Sequence, residues 1–162
     1  MGLVIALNKR RILKECLPIL ASCGVEPVEH PSESRKLIFD SRCGEHRLIV
    51  TRSADVLTYV EQGVADVGIT GKDTILEYGA GMSFYERLDL KIGLCRMMTA
   101  APVGFEAPTG VLRVASKFVN IARSHYHSQG CQVDQCNPRT SLSVERVRLM
   151  HWDYLLLSLI HI

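Results

Sequence analysis

The chain has 162 residues, of which 47% are hydrophobic and 22% are charged, and its formal net charge at pH 7 is +2. This length suits one domain or two small lobes, and the apolar fraction is high enough to exclude wholesale disorder. The positive charge is too small for a dedicated nucleic-acid binder, which would carry a clustered basic face. We therefore expect a folded protein that does not bind nucleic acid.

The distribution of apolar residues argues against membrane spanning and export. The longest apolar stretch, residues 155–160, is far shorter than the roughly 20 residues that cross a bilayer. The apolar start of the chain precedes the cations of residues 9–11, which is the reverse of the order in a signal peptide. The six cysteines form no C-x-x-C pair, so we expect neither a zinc site nor disulfides. These features predict a cytoplasmic protein.

The first elements predicted along the chain are a strand and a helix. Residues 3–7 form a short apolar run that is typical of a buried parallel strand. An apolar stripe over residues 12–23 predicts a helix, with Gly24 as its left-handed C-cap. Pro18 lies inside this helix, where it removes one backbone donor and is expected to cause a kink.

A hairpin and a second helix are predicted next. Residues 35–39 and 46–51 have strand character, and the turn at residues 43–45 indicates that they pair as a hairpin. Ser53 is predicted to cap a helix that runs to residue 62.

The rest of the chain continues the alternation up to residue 135. Further strands are predicted at residues 64–70, 92–101, 111–115 and 131–135, and further helices from residue 71 and over residues 117–129. This alternation predicts an α/β fold with a mostly parallel sheet. Residues 137–162 show no clear helical or strand period.

Two predicted corners between a strand and a helix carry cations that suit phosphate binding. Residues 9–11 (Lys-Arg-Arg) open the first helix, where positive charge opposes the helix dipole unless an anion offsets it. Gly71, Lys72 and Asp73 form the second corner, but without the spacing of a Walker A loop. The alternatives are solvated side chains at the first corner and an ordinary capped helix turn at the second.

Further cations lie at the predicted strand ends. Arg52 follows a strand and precedes a helix, and Arg35 and Lys36 lie at the start of another strand. Because ligands of open α/β sheets gather at the carboxyl ends of strands, Arg52 is a candidate for binding phosphate. A surface ion pair is the alternative. The residues alone therefore favour a phosphorylated or nucleotide substrate without naming the reaction.

Four segments carry a resemblance to a known family: residues 5–13, 34–39, 55–73 and 112–123. They closely resemble ATP phosphoribosyltransferase in its short form, which works with a separate regulatory subunit similar to histidyl-tRNA synthetase. The resemblance covers residues 1 to about 136. It implies a two-lobed α/β fold similar to type II periplasmic binding proteins, with residues 1–91 in the first lobe and residues 92–136 in an incomplete second lobe.

The resemblance also implies a reaction, in which N1 of ATP attacks C1 of phosphoribosyl pyrophosphate and pyrophosphate is released in the presence of Mg²⁺. By matching position, Lys9, Arg11, Arg35 and Arg52 would contact phosphates or the leaving group, with Arg35 and Arg52 as the catalytic residues. Lys72 and Asp73 would line the nucleotide site. Residues 142–145 echo a Gly-Ser-Val-Glu element of the family, so Glu145 is expected to bind substrate. The resemblance further implies a hetero-oligomer with the regulatory subunit.

The chain departs from the family pattern in two places. Arg10 replaces a glycine that is usual in the first corner, and residues 137–162 lack the Glu-Thr-Gly loop that cradles the ribose 5-phosphate. We hypothesise that residues 137–162 are a non-native, frame-shifted segment and that loss of the loop impairs activity. The alternative is a non-catalytic nucleotide-binding or regulatory module of the same fold.

Overall fold

The computed structural model describes residues 2–9, 11–101, 103–104, 110–136 and 154–161. The chain divides into two compact units, Met1–Gly93 and Leu94–Ile162. Each unit contains its own four-stranded sheet. Each described helix falls short of the length and apolar character that a membrane span requires.

The sheet of the first unit is built around a central parallel strand. Its strands, in chain order, are β1 (Val4–Asn8), β2 (Ile38–Asp40), β3 (Arg47–Thr51) and β4 (Val67–Ile69). They are arranged in the order β2-β3-β1-β4. β1 runs parallel to both β3 and β4, whereas β2 pairs with β3 in antiparallel fashion, so the predicted hairpin is confirmed.

Helices cover both faces of this sheet. They are α1 (Arg11–Ser22), α2 (Ser53–Glu61) and α3 (Lys72–Tyr78). Alternate residues of a strand face opposite sides. Leu7 of β1 packs in one buried cluster with Leu13 of α1, and its neighbour Ala6 packs in another with Val56 of α2. The continuous apolar run of β1 therefore results from burial on both faces, as predicted.

The topology brings three helix starts to one edge of the sheet. Asn8 of β1 pairs with Thr51 of β3, and Leu7 pairs with Ile69 of β4. Because all three strands are parallel, their carboxyl ends lie at the same edge. β3 and β4 lie on opposite sides of β1. The carboxyl end of β1 is therefore a topological switch point, which is where α/β proteins bind ligands.

In the part that the structure describes, the second unit contains one helix and the remaining strands. They are β5 (Cys95–Ala100), β6 (Leu112–Ala115), α4 (Val119–Ser128), β7 (Val133–Cys136) and β8 (Tyr154–His161). The strand order is β5-β8-β6-β7. Val114 of β6 packs in a buried cluster with Ala122 and Tyr126 of α4.

One strand was not predicted from the sequence. β8 lies within residues 137–162, where no strand period was found, yet it pairs antiparallel with β5 and parallel with β6. Residues 155–160 (Leu-Leu-Leu-Ser-Leu-Ile) lack the alternation of apolar and polar side chains by which a half-buried strand is recognised. The hypothesis of a non-native origin for residues 137–162 stays a prediction.

Local details of the first unit confirm one expectation and correct another. Gly24 has φ +80, as expected of a left-handed residue after α1, and the helix continues through Pro18. The predicted Ser53 cap is wrong, because Arg52 occupies the N-cap position of α2 and makes no side-chain capping hydrogen bond. Instead, the Thr51 hydroxyl donates to Asp55 Oδ2 in the first turn at 3.2 Å.

Candidate active site

The residues that follow β1, β3 and β4 form the corners of the candidate site. Lys9 follows β1, Arg52 follows β3, and Gly71 with Lys72 and Asp73 follows β4. The Lys9 backbone N–H donates to the Thr51 carbonyl oxygen at 3.0 Å, which joins the first two corners. The fold therefore brings the predicted cationic corners to one edge of one sheet.

A cavity of about 270 Å³ opens beside the first corner. Lys9 and Arg35 supply positive charge, whereas Lys36 is paired with Glu29 at 2.7 Å, and Leu13 with Val50 supplies an apolar part of the lining. The segment that precedes β2 also contributes Pro31, Ser32 and Ser34. Cations combined with hydroxyl groups form a lining that suits phosphate oxygens, which accept several hydrogen bonds at once.

The cavity includes two polar residues that the sequence analysis missed. Ser32 and Ser34 line it together with Arg35, which follows them directly in the chain. The sequence feature that could have identified these two serines is that they form a short polar segment directly before a cation. Arg35 itself precedes β2 rather than lying within it, because the strand begins at Ile38 and not at residue 35 as predicted.

The cations of the site differ in whether they already have a carboxylate partner. In the part of the chain that the structure describes, Lys9, Arg35 and Arg52 make no ion pair. All three are exposed. Positive charges that are gathered at one sheet edge, with no ion pair to a carboxylate among the described residues, attract an anionic ligand.

Lys72 is already neutralised by a residue that the sequence did not single out. Its Nζ donates to both oxygens of Glu86 at 2.6 and 2.5 Å. Asp73, the next residue, is half-buried in the first turn of α3. A Cβ added to Gly71 would overlap Oδ1 of Asp73, so the glycine makes room for this carboxylate.

Arg11 lies in the first turn of α1 and has a partner one turn later. Its Nε donates to Glu15 Oε1 at 2.8 Å. The second oxygen of Glu15 accepts the Gly93 backbone N–H at 2.7 Å. These hydrogen bonds, from Arg11 first and then from Gly93, lower the pKa of the Glu15 carboxyl group.

Two residues of the predicted site lie outside the described part of the chain. These are Arg10, in the first corner, and Glu145, expected to bind substrate. Among the other predicted site residues, Lys9 and Arg35 lie around one cavity. Arg52, Lys72 and Asp73 lie at the same sheet edge.

Comparison with known proteins identifies the family. A model of the ATP phosphoribosyltransferase family matches residues 52–145, which is more than half of the chain. The chain belongs to the ATP phosphoribosyltransferase family. It is 54% identical over 132 residues to the ATP phosphoribosyltransferase of Ectopseudomonas mendocina and 52% identical over the same length to that of Pseudomonas aeruginosa. Each match covers 82% of this chain and 62% of the relative, so the chain spans about three fifths of the relatives' length.

A solved structure supports the fold. The structure of the ATP phosphoribosyl transferase (HisG:HisZ) complex from Thermotoga maritima matches with a TM-score of 0.76 at 24% sequence identity. The match covers 98% of this chain and 74% of that chain. The prediction of an α/β fold of the type II periplasmic-binding-protein kind is confirmed.

Proposed function

We propose that the protein is a short-form ATP phosphoribosyltransferase of the cytoplasm. It transfers the phosphoribosyl group of phosphoribosyl pyrophosphate to N1 of ATP, which is the first step of histidine biosynthesis. Family membership supports the reaction class. The observation that carries the proposal is the cavity where Lys9 and Arg35 meet hydroxyl groups without a carboxylate partner for either cation among the described residues.

The reaction requires positioning and charge stabilisation rather than a protein nucleophile. The bond between C1 and the pyrophosphate oxygen breaks, its electron pair leaves with pyrophosphate, and N1 of adenine bonds to C1. Arg35 and Arg52 stabilise the charge that develops on pyrophosphate, since fixed cations lower the energy of such a transition state. Lys9 and Arg11 hold phosphates, and Lys72 and Asp73 hold the nucleotide.

Mg²⁺ fits this site as an ion that arrives with the substrate. The cavity is lined by cations and hydroxyl groups, which are poor ligands for a bare divalent ion. Among the described residues, no three or more His, Cys, Asp or Glu side chains cluster in a way that could hold a metal. Mg²⁺ commonly keeps water and substrate phosphates as its ligands. The cationic side chains then contact the phosphate oxygens that the ion leaves free.

A regulatory subunit similar to histidyl-tRNA synthetase is the proposed partner. The solved Thermotoga maritima structure is that of a complex of two proteins, HisG and HisZ. We propose that this chain forms a comparable hetero-oligomer, in which the second subunit regulates transfer.

Calorimetric titration of the whole chain with phosphoribosyl pyrophosphate, and separately with ATP, tests the proposed function in the presence of Mg²⁺. We expect both ligands to bind. Binding of ATP alone would favour the non-catalytic nucleotide module. Binding of neither ligand would contradict the proposal.

A further inference from the structure

Glu15 uses both carboxylate oxygens to join two separate parts of the first unit. Oε1 accepts from Arg11 Nε at 2.8 Å, and Oε2 accepts from the Gly93 N–H at 2.7 Å. Arg11 and Glu15 lie one turn apart on α1, whereas Gly93 is 78 residues further along the chain than Glu15. We name this chain of two hydrogen bonds, Gly93 to Glu15 to Arg11, the Glu15 clamp.

The Gly93 end of the clamp lies in backbone that depends on outside contacts. Gly93 has φ +60 and Lys91 has φ +53, and residues other than glycine rarely adopt such a positive φ. The Lys91 N–H donates to Asp89 Oδ1 at 2.9 Å. A Cβ on Gly93 would lie 3.5 Å from Ile12 Cγ1, so the segment also packs against the start of α1. The Gly93 N–H therefore holds Glu15 from a segment that itself lies against the start of α1.

The Arg11 end of the clamp is not explained by helix stability. Arginine in the first turn opposes the helix dipole, and the order Arg then Glu four residues later is the less favourable one for a helix. An exposed ion pair contributes little to folding. The pair nevertheless has a specific geometry, because it engages Nε and leaves Nη1 and Nη2 of Arg11 without a partner among the described residues.

We propose that Glu15 is a positioning residue, which orients the Arg11 guanidinium so that Nη1 and Nη2 bind the oxygens of a diphosphate. The inference rests on the proposed function, since it assigns Arg11 to the diphosphate of the substrate. A guanidinium binds phosphate best through two parallel N–H groups, and a partner on Nε fixes their direction. The Gly93 N–H fixes Glu15 in turn.

The clamp makes diphosphate binding and Gly93 order depend on each other. Coupling between two sites is reciprocal in free energy. A diphosphate that orders Arg11 therefore orders Glu15, and we expect hydrogen exchange of the Gly93 amide to slow when Mg²⁺ and inorganic pyrophosphate are added. A carboxylate that served only the helix surface would not transmit this effect.

The test compares Glu15→Gln with Glu26→Gln in the full chain. Glu26 is a suitable control because it is exposed, pairs with Arg42 at 3.5 Å and changes the net charge equally when replaced. In glutamine an NH2 group replaces one of the two carboxylate oxygens, so either Arg11 Nε or the Gly93 N–H faces a donor where it now has an acceptor. Calorimetry with inorganic pyrophosphate and Mg²⁺ gives the affinity, and hydrogen exchange of the Gly93 amide reports on the clamp.

The sign of the affinity change separates positioning from simple charge neutralisation. If Glu15 only neutralised Arg11, its removal would strengthen anion binding. If Glu15 positions Arg11, Glu15→Gln weakens pyrophosphate binding by about three- to tenfold, about 0.7–1.4 kcal/mol. We expect that weakening, faster Gly93 exchange in Glu15→Gln, and no change in either quantity for Glu26→Gln.

A second variant tests whether Glu15 acts through Arg11. Arg11→Lys keeps the charge and removes the planar fork, so adding Glu15→Gln to it should cause no further loss of affinity. Unchanged or tighter binding by Glu15→Gln, or a full further loss in the double variant, would overturn the inference while the proposed function stands. Failure of the unsubstituted chain to bind pyrophosphate would overturn both.

Discussion

Two kinds of positively charged side chain occur at the carboxyl edge of the first sheet. Arg11, Lys36 and Lys72 each donate to a glutamate, so each has a carboxylate partner before a ligand arrives. Lys9, Arg35 and Arg52 make no ion pair within the described residues. The first group is suited to orienting a ligand and the second to neutralising it, which is the combination that a diphosphate leaving group requires.

Two long-range contacts, Lys72 to Glu86 and Glu15 to Gly93, are the part of the site that sequence reasoning misses. The cations were found because each lies near an end of a predicted strand, which is a local pattern. Glu86 lies 14 residues from Lys72, and Gly93 lies 78 residues from Glu15. Contacts over such separations are set by the path of the folded chain and leave no local spacing to recognise.

Burial of Cys16 gives a prediction on pH dependence. The side chain is fully buried on α1, and burial raises the pKa of its thiol to about 11 from 9.0. In the unfolded chain the thiol ionises near pH 9, so the folded state loses stability as the pH rises from about 9 to 11. Denaturant titrations should show this loss, and it should be smaller in Cys16→Ala; an equal loss in both would contradict the assignment.

At the scale of elements, the strands and helices of both units were largely predictable, with β8 as the exception. β1, α1 and the β2–β3 hairpin each carry a local pattern, and the structure has all of them with strand bounds shifted by a few residues. β8 was missed because its position between β5 and β6 depends on long-range pairing. Its sequence has no alternation, so only the folded sheet identifies it as a strand.

The contact between α2 and β4 gives a prediction at this scale. A Cβ on Gly68 of β4 would lie 2.8 Å from Val60 Cγ2 and 2.9 Å from Val56 Cγ1, both on α2. Since added volume in a packed contact forces side chains and backbone to shift, Gly68→Ala should destabilise the fold by about 1–3 kcal/mol.

Chemical denaturation measures this change in the free energy of unfolding. Gly110→Ala is the control, because a Cβ at Gly110 meets no atom of the described residues within 4 Å. Equal unfolding free energies for the Gly68 and Gly110 variants would show that the contact between α2 and β4 tolerates a methyl group at position 68.

At the scale of the whole molecule, the described candidate residues all precede the boundary after Gly93. The family match, over residues 52–145, includes parts of both units. The chain spans 62% of the length of its curated relatives. Diphosphate binding is therefore the part of the proposed activity that the first unit can support by its own cations.

The central claim is that these cations, rather than the net charge of +2, bind the diphosphate. The double variant Arg35→Gln/Arg52→Gln removes two of the cations that make no ion pair among the described residues. Arg42→Gln/Arg47→Gln removes as much charge from two exposed arginines that pair with Glu26 and Asp40.

The most direct measurement is calorimetric titration of both double variants and the unsubstituted chain with phosphoribosyl pyrophosphate and Mg²⁺. We predict that Arg35→Gln/Arg52→Gln weakens binding by at least about tenfold, since the loss of even one hydrogen bond to a charged group costs about 1.5–3 kcal/mol, while the control binds as the unsubstituted chain does. Equal affinities for the two double variants would contradict the account.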